Sequence, residues 1–223
     1  MRTLGIAALC IAVVIGGGVI WYMLAHPTYI YRYRITVEVL VDGVVRSGSS
    51  VIEVQIYTQP NLLANSTTYS THSGEASFVD LGGGRHVIAL LAAGPRARDV
   101  GNPEAIVPSI FKLSYDDADL TKFSILRGRG DIPQKRLPTL VTFDDLNDAK
   151  TARIISPDEF TRVFGPGVSL QRAWIEMTDD PVTRVIEAKM PQIIRQLREQ
   201  AKVMQIKEVG APYTASLGDF TGG

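Results

Sequence analysis

The sequence has one cysteine, three histidines and no excess of charge of either sign. The single cysteine, Cys10, excludes an intramolecular disulfide. Leu9, just before it, is too large for the small residue that precedes a lipid-modified cysteine, so Cys10 reads as an apolar helix residue. Lys plus Arg is 23 and Asp plus Glu is 23. That balance argues against a nucleic-acid partner, which calls for a basic excess or stripe, and against a charged disordered tail. His26, His72 and His86 are scattered without metal-ligand spacing and read as surface residues. There is no G-x-S-x-G elbow for a serine nucleophile. Gly82-Gly83-Gly84 lacks the Lys-Ser or Lys-Thr and the helix that a phosphate loop needs, so it reads as a hairpin loop. No cofactor, metal or catalytic set is implied, and no repeat or low-complexity tract is present.

A long apolar run is present. Leu4 to Leu24 carries no charged residue. These 21 residues extend about 31 Å as a helix, against a hydrocarbon core of about 30 Å. The run is longer than the apolar part of a signal peptide, and Met23-Leu24-Ala25 is a poor cleavage site, so residues 1–26 are expected to be a retained transmembrane anchor with a short N-terminal tail. Trp21 and Tyr22 close the span where interfacial aromatics sit. Ala8, Ala12 and Gly16 form a small-residue stripe on which another span could pack. Arg2 lies before the span and Arg32 and Arg34 lie after it, so the charge rule is close to even. The tail is expected in the cytoplasm and the domain in the periplasm.

Residues 27–207 are expected to form one soluble α+β domain, with 208–223 a loose tail. Odd positions Tyr29 to Val41 are apolar while even positions include Arg32, Arg34 and Glu38, the period of a half-buried strand. Asp42-Gly43 fits a tight hairpin turn. Pairing Val41 with Val44 puts Tyr33 opposite Ile52, Tyr31 opposite Val54, Tyr29 opposite Ile56 and Arg32 opposite Glu53. Arg46 to Ser50 interrupts the apolar face, which suggests a bulge or an irregular edge. Tyr29, Tyr31 and Tyr33 either fill the core or touch lipid headgroups.

Further on, 61–71 reads as a polar loop, 75–91 as a second hairpin, 94–107 as irregular and 117–126 as a short helix. The stretch 128–138 reads as a loop, and 137–143 and 151–155 as strands. Ser156-Pro157-Asp158-Glu159 is a helix start with a capping box, ended by Gly165-Pro166-Gly167. The stretch 168–178 alternates as a strand. Asp180-Pro181 opens a last helical region that Pro191 divides. The order, a membrane helix, hairpins, then C-terminal helices, predicts an α+β fold.

Acidic pairs at 116–117, 144–145 and 179–180 could act as acid and base or hold a cation. Asp144, Asp145 and Asp148 follow a strand and are the acidic-site candidates, although Asp at turns also caps backbone donors. Arg129-Gly130-Asp131 is an adhesion tripeptide and Asn65-Ser66-Thr67 a glycosylation sequon.

Three segments together, YRYRITVEVLVDGVVRSGSSVIEV from Tyr31, LVTFDDLNDAKT from Leu140 and FGPGVSLQRAWIEMTDDPV from Phe164, resemble an uncharacterised group of bacterial proteins with a single N-terminal span. The resemblance implies a bacterial envelope setting and assigns no site. The expectation is a single-span inner-membrane protein whose domain binds or assembles with a membrane or periplasmic partner. A tethered hydrolase using Asp144, Asp145 or Asp148, and a subunit of a larger envelope complex, remain alternatives.

Overall fold

The computed structural model describes residues 2–61, 64–94, 103–199, 204–206 and 213–222. Helix α1 runs Arg2–Ala25, and strand β1 (Thr28–Val41) begins after His26 and Pro27. Within α1, side chains are described for 11–24; those of Ala8 and Cys10 lie outside the described residues. Among the described residues no helix is long and apolar enough to cross a membrane.

The remaining strands are β2 (Val44–Asn61), β3 (Ala64–Glu75), β4 (Ser77–Gly82), β5 (Arg85–Ala93), β6 (Arg129–Asp131), β7 (Pro138–Phe143), β8 (Ala152–Ile154), β9 (Val168–Met177), β10 (Met204–Ile206), β11 (Tyr213–Ala215) and β12 (Thr221–Gly222). The helices are α2 (Ile106–Phe111), α3 (Asp117–Ile125), α4 (Phe160–Phe164), α5 (Ile186–Lys189), α6 (Pro191–Glu199) and α7 (Leu217–Phe220). One antiparallel sheet has the order β12-β3-β2-β1-β9-β6, a second β4-β5-β7-β8, and β10 pairs with β11. The class is α+β.

The first hairpin has the expected register throughout, including Arg32 opposite Glu53 and Tyr33 opposite Ile52. Asp42 and Gly43 both take positive φ, 50° and 81°, the conformation of the two-residue turn that matches strand twist. The odd side chains Tyr31 to Val41 enter the core between the two sheets. The outer face is polar: Arg32 pairs with Glu53 at 2.7 Å and Arg172 with Glu38 at 2.8 Å. The Arg172 guanidinium holds the Glu38 carboxyl below the usual carboxylate range.

Arg46 to Ser50 forms no bulge, since β2 pairs with β1 without a shift. The shift occurs in β9, where Gln171 is left unpaired between Leu170 and Arg172. The small residues of β2 serve another purpose: β4 crosses them backbone to backbone. A Cβ on Gly48 would lie 2.2 Å from the Phe78 carbonyl oxygen, and the Ser50 and Ser77 hydroxyls bond at 2.8 Å.

The polar stretch expected as a loop to Thr71 is strand β3, paired with β2. Its serines and threonines suit an extended backbone once a neighbour supplies the hydrogen bonds. Of the stretch 94–107, residues 95–102 lie outside the described residues, and Pro103–Ala105 is a 3-10 turn that leads into α2. Within 128–138, expected as a loop, β6 pairs with β9.

The second sheet is buried on both sides. In β5, Val87, Ala89 and Leu91 face the six-stranded sheet, while Ile88, Leu90 and Ala92 face a second core with Ile186, Met190, Ile193, Ile194, Leu197 and Phe220. A strand covered on both faces reads as a continuous apolar run, as β5 does. Its neighbour β7 is also buried throughout, and its hydroxyls are satisfied: Thr139 donates to Gly94 O at 2.6 Å and Thr142 to His86 O at 2.8 Å.

The last helical region opens at Ile186, not at Pro181. Residues 178–185 instead form a strap tied to the first sheet. Thr178 N donates to Arg32 O, Asp180 pairs with Arg34, and Thr183 exchanges bonds with Val51. The strap ends on Glu75, 2% exposed, whose carboxylate accepts from Val185 N at 2.7 Å and Ile186 N at 2.9 Å. A side chain at the end of β3 therefore satisfies the first donors of α5. The segment 208–223, expected as a loose tail, carries α7 and β12; β12 pairs with Glu75 and Gly74, and Phe220 is fully buried. Pro191 does divide the helical region, and the Ser156 capping box is present.

His86, expected at the surface, is buried between Phe78 and Phe143. Its Nδ1 bonds to the Gly84 carbonyl at 3.2 Å and its Nε2 accepts from Phe143 N at 3.3 Å, an arrangement for the neutral ring. Burial pushes its pKa down, over the opposing pull of the Gly84 carbonyl and Asp80.

Two predictions follow from the packing. Gly48→Ala should lower the unfolding free energy by about 1–3 kcal/mol, read by denaturant titration of the full chain in detergent; unchanged stability would mean the sheets do not cross there. The unfolded chain protonates His86 near the ordinary 6.5, and the folded chain only below it. Stability should therefore fall as pH drops below that value, and His86→Phe should flatten the slope in that window.

Candidate functional site

The acidic candidates sit in the turn after β7, each with a local task. Asp144 pairs with Arg153 at 2.7 Å. Asp145 accepts from Asn147 N at 2.8 Å and Asn147 Nδ2 at 2.9 Å. Asp148 accepts from Lys150 N at 2.9 Å and caps a 3-10 turn. Among the described residues no three His, Cys, Asp or Glu side chains are grouped to hold a metal. The Arg129-Gly130-Asp131 tripeptide is strand β6, with Gly130 close against Ile110. On α1, Trp21, Tyr22, Ala12 and Gly16 are exposed, and the Tyr22 ring lies 4.8 Å from that of His26.

A different constellation forms inside the sandwich. The 3-10 turn at Pro103 delivers Glu104 to His72 on β3, with Glu104 Oε1 2.9 Å from His72 Nδ1. Glu104 is buried, and its Oε2 has no hydrogen-bond partner. Three phenols clamp the turn. Tyr33 donates to Pro103 O at 2.9 Å, Tyr31 donates to Glu104 O at 3.3 Å, and Tyr115 donates to the same carbonyl. Tyr31 and Tyr33 are thus core residues and do not touch headgroups. Burial pushes both phenols well above their usual range and lifts Tyr115 to about 12, so all three remain donors at any physiological pH.

Beside His72 opens a cleft of about 420 Å³ lined by Leu91, Ala92, Pro103, Ser216, Gly218 and Asp219. Asp219 accepts from Ser216 N at 2.6 Å and Ser216 Oγ at 2.9 Å, the cap of α7. Gly222 lies against the imidazole edge, where a Cβ would be 3.0 Å from Nε2. The carboxylate fixes one ring nitrogen of His72, and the ring borders a cleft with both polar and apolar walls. Such a site can hold a small polar ligand or pass a proton.

Linear spacing gave no sign of this group. His72 falls just past the polar stretch 61–71, Glu104 in the stretch expected as irregular, and Ser216 and Asp219 in the expected tail. No family model, curated protein or solved structure matches the chain.

His72→Leu leaves the Glu104 carboxylate buried without its partner and should cost about 1–3 kcal/mol. The double variant with Glu104→Leu should recover part of that loss in the same unfolding titration. Purely additive effects would mean the two side chains do not act as a pair.

Proposed function

We propose that this chain is a single-span protein of the bacterial inner membrane whose α+β sandwich is a binding or assembly module held at the bilayer surface on the periplasmic side. The observation that carries this reading is α1. Its described side chains are apolar and exposed without a break from 11 to 24; Trp21 is 69% exposed and Leu24 77%. A helix that is apolar all round needs cover on every side, and none of its described side chains is covered by the sandwich. The uncharged run Leu4 to Leu24 has the length of a bilayer core, and Trp21 and Tyr22 stand at its end. Only His26 and Pro27 separate the helix from β1, so the domain has no stalk.

Within the domain, the His72 cleft joins an imidazole held by a buried carboxylate to polar and apolar walls, and it supports a small polar ligand or peptide group as what the module binds. The acidic turn is left out of this reading because its carboxylates are committed to Arg153, Asn147 and Lys150.

Expressed in a bacterium, the full chain should stay in the membrane pellet through alkaline carbonate and leave it only with detergent. Deletion of residues 2–25 should release the domain. A full chain that washes off in carbonate contradicts the anchor.

A further inference from the structure

The two-residue link limits where the sandwich can sit. From Ala25 to Thr28 the backbone reaches at most about 11 Å. Thr28 pairs with Tyr57, which in turn pairs with Tyr69, so one end of the first sheet lies at the foot of α1. The Tyr57 and Tyr69 rings stack at 5.8 Å. Among the described residues, six large hydrophobics outside α1 are strongly exposed: Ile30, Val44, Val45, Tyr69, Ile125 and Val185. Three of them, Ile30 at 46%, Tyr69 at 44% and Ile125 at 76%, gather at this end. Ile125 is the last residue of α3, and the preceding Phe123 and Ser124 line one shallow pocket with Ile30 and Arg127. Arg127 is on the rim with its side chain 59% exposed, bonded to Asp179 at 3.0 Å, and Arg32 donates to the Asp179 carbonyl.

We propose that this end of the sandwich is a second membrane contact, resting on the phospholipid headgroup layer. Ile30, Tyr69 and Ile125 enter the interfacial zone, and Arg127 faces lipid phosphate. Tyr combines an apolar ring with a polar tip and suits that depth, and guanidinium matches phosphate geometry. The tether selects the occupant, because whatever lies at the foot of α1 is what these side chains meet. The inference rests on α1 being an anchor. It adds that the domain has one fixed orientation, with the Asp42-Gly43 turn a strand length away, about 43 Å, pointing from the bilayer.

The test uses the full chain with Cys10→Ala in phosphatidylethanolamine–phosphatidylglycerol vesicles. Single spin labels are placed through Ile15→Cys, Ile125→Cys and Val44→Cys, and relaxation by oxygen is compared with relaxation by a water-soluble nickel chelate. The label at 15 should be in hydrocarbon. The label at 125 should show an oxygen-to-nickel ratio severalfold above that at 44. A label at 125 as aqueous as that at 44, with 15 still in hydrocarbon, overturns the docking surface and leaves the anchor. A label at 44 as lipid-proximal as that at 125 overturns the orientation. An aqueous label at 15 overturns anchor and docking together.

Discussion

The sheet β4-β5-β7-β8 is apolar on both faces, and each face needs its own cover. One cover is the six-stranded sheet, which brings the odd side chains of β1 and their partners on β2. The other is the C-terminal helical layer, with Met190, Ile193, Ile194 and Phe220 at its centre. Three strands of the first cover, β1 to β3, precede the strands they cover, while β6, β9 and β12 join that sheet later and the helical layer of α5 and α6 follows β9. The strap 178–185 carries the chain from β9 to the helices, and buried Glu75 fixes where the strap ends and α5 begins. Removing that carboxylate would leave the buried Ile186 N–H and the part-buried Val185 N–H without an acceptor where the strap meets the helices.

The same demand for cover explains α1. Both faces of the inner sheet are answered by other elements, whereas the described side chains of α1 remain exposed. In the proposed reading a membrane answers it, and the link of His26 and Pro27 would then hold β1 close to the headgroups.

Much of the local structure was legible in the sequence. The register of the first hairpin follows from apolar alternation and the Asp42-Gly43 turn, because both signals lie within a few residues of the contacts they set. The Ser156 capping box and the Pro191 break are legible for the same reason. What escaped depends on neighbours distant in sequence. β3 is too rich in serine and threonine to read as a strand until β2 is placed beside it. Gly48 and Ser50 look like a defect until β4 crosses them. His86 reads as a surface residue until Phe78 and Phe143 close over it. The His72–Glu104 pair joins residues from two stretches that each look featureless, and no spacing rule links them. The acidic turn, by contrast, was visible from its residue types, and its bonds are the local ones such a turn makes.

The central claim is that lipid covers α1. Hydrogen–deuterium exchange of the full chain in phospholipid vesicles, read by mass spectrometry on N-terminal peptides, tests it directly. An amide in hydrocarbon has no water with which to exchange. Amides across Leu4 to Leu24 are expected to stay protonated for hours, while those of exposed turns such as Gly83-Gly84 exchange within seconds. Exchange of the Leu4 to Leu24 amides on the time scale of those turns would contradict it.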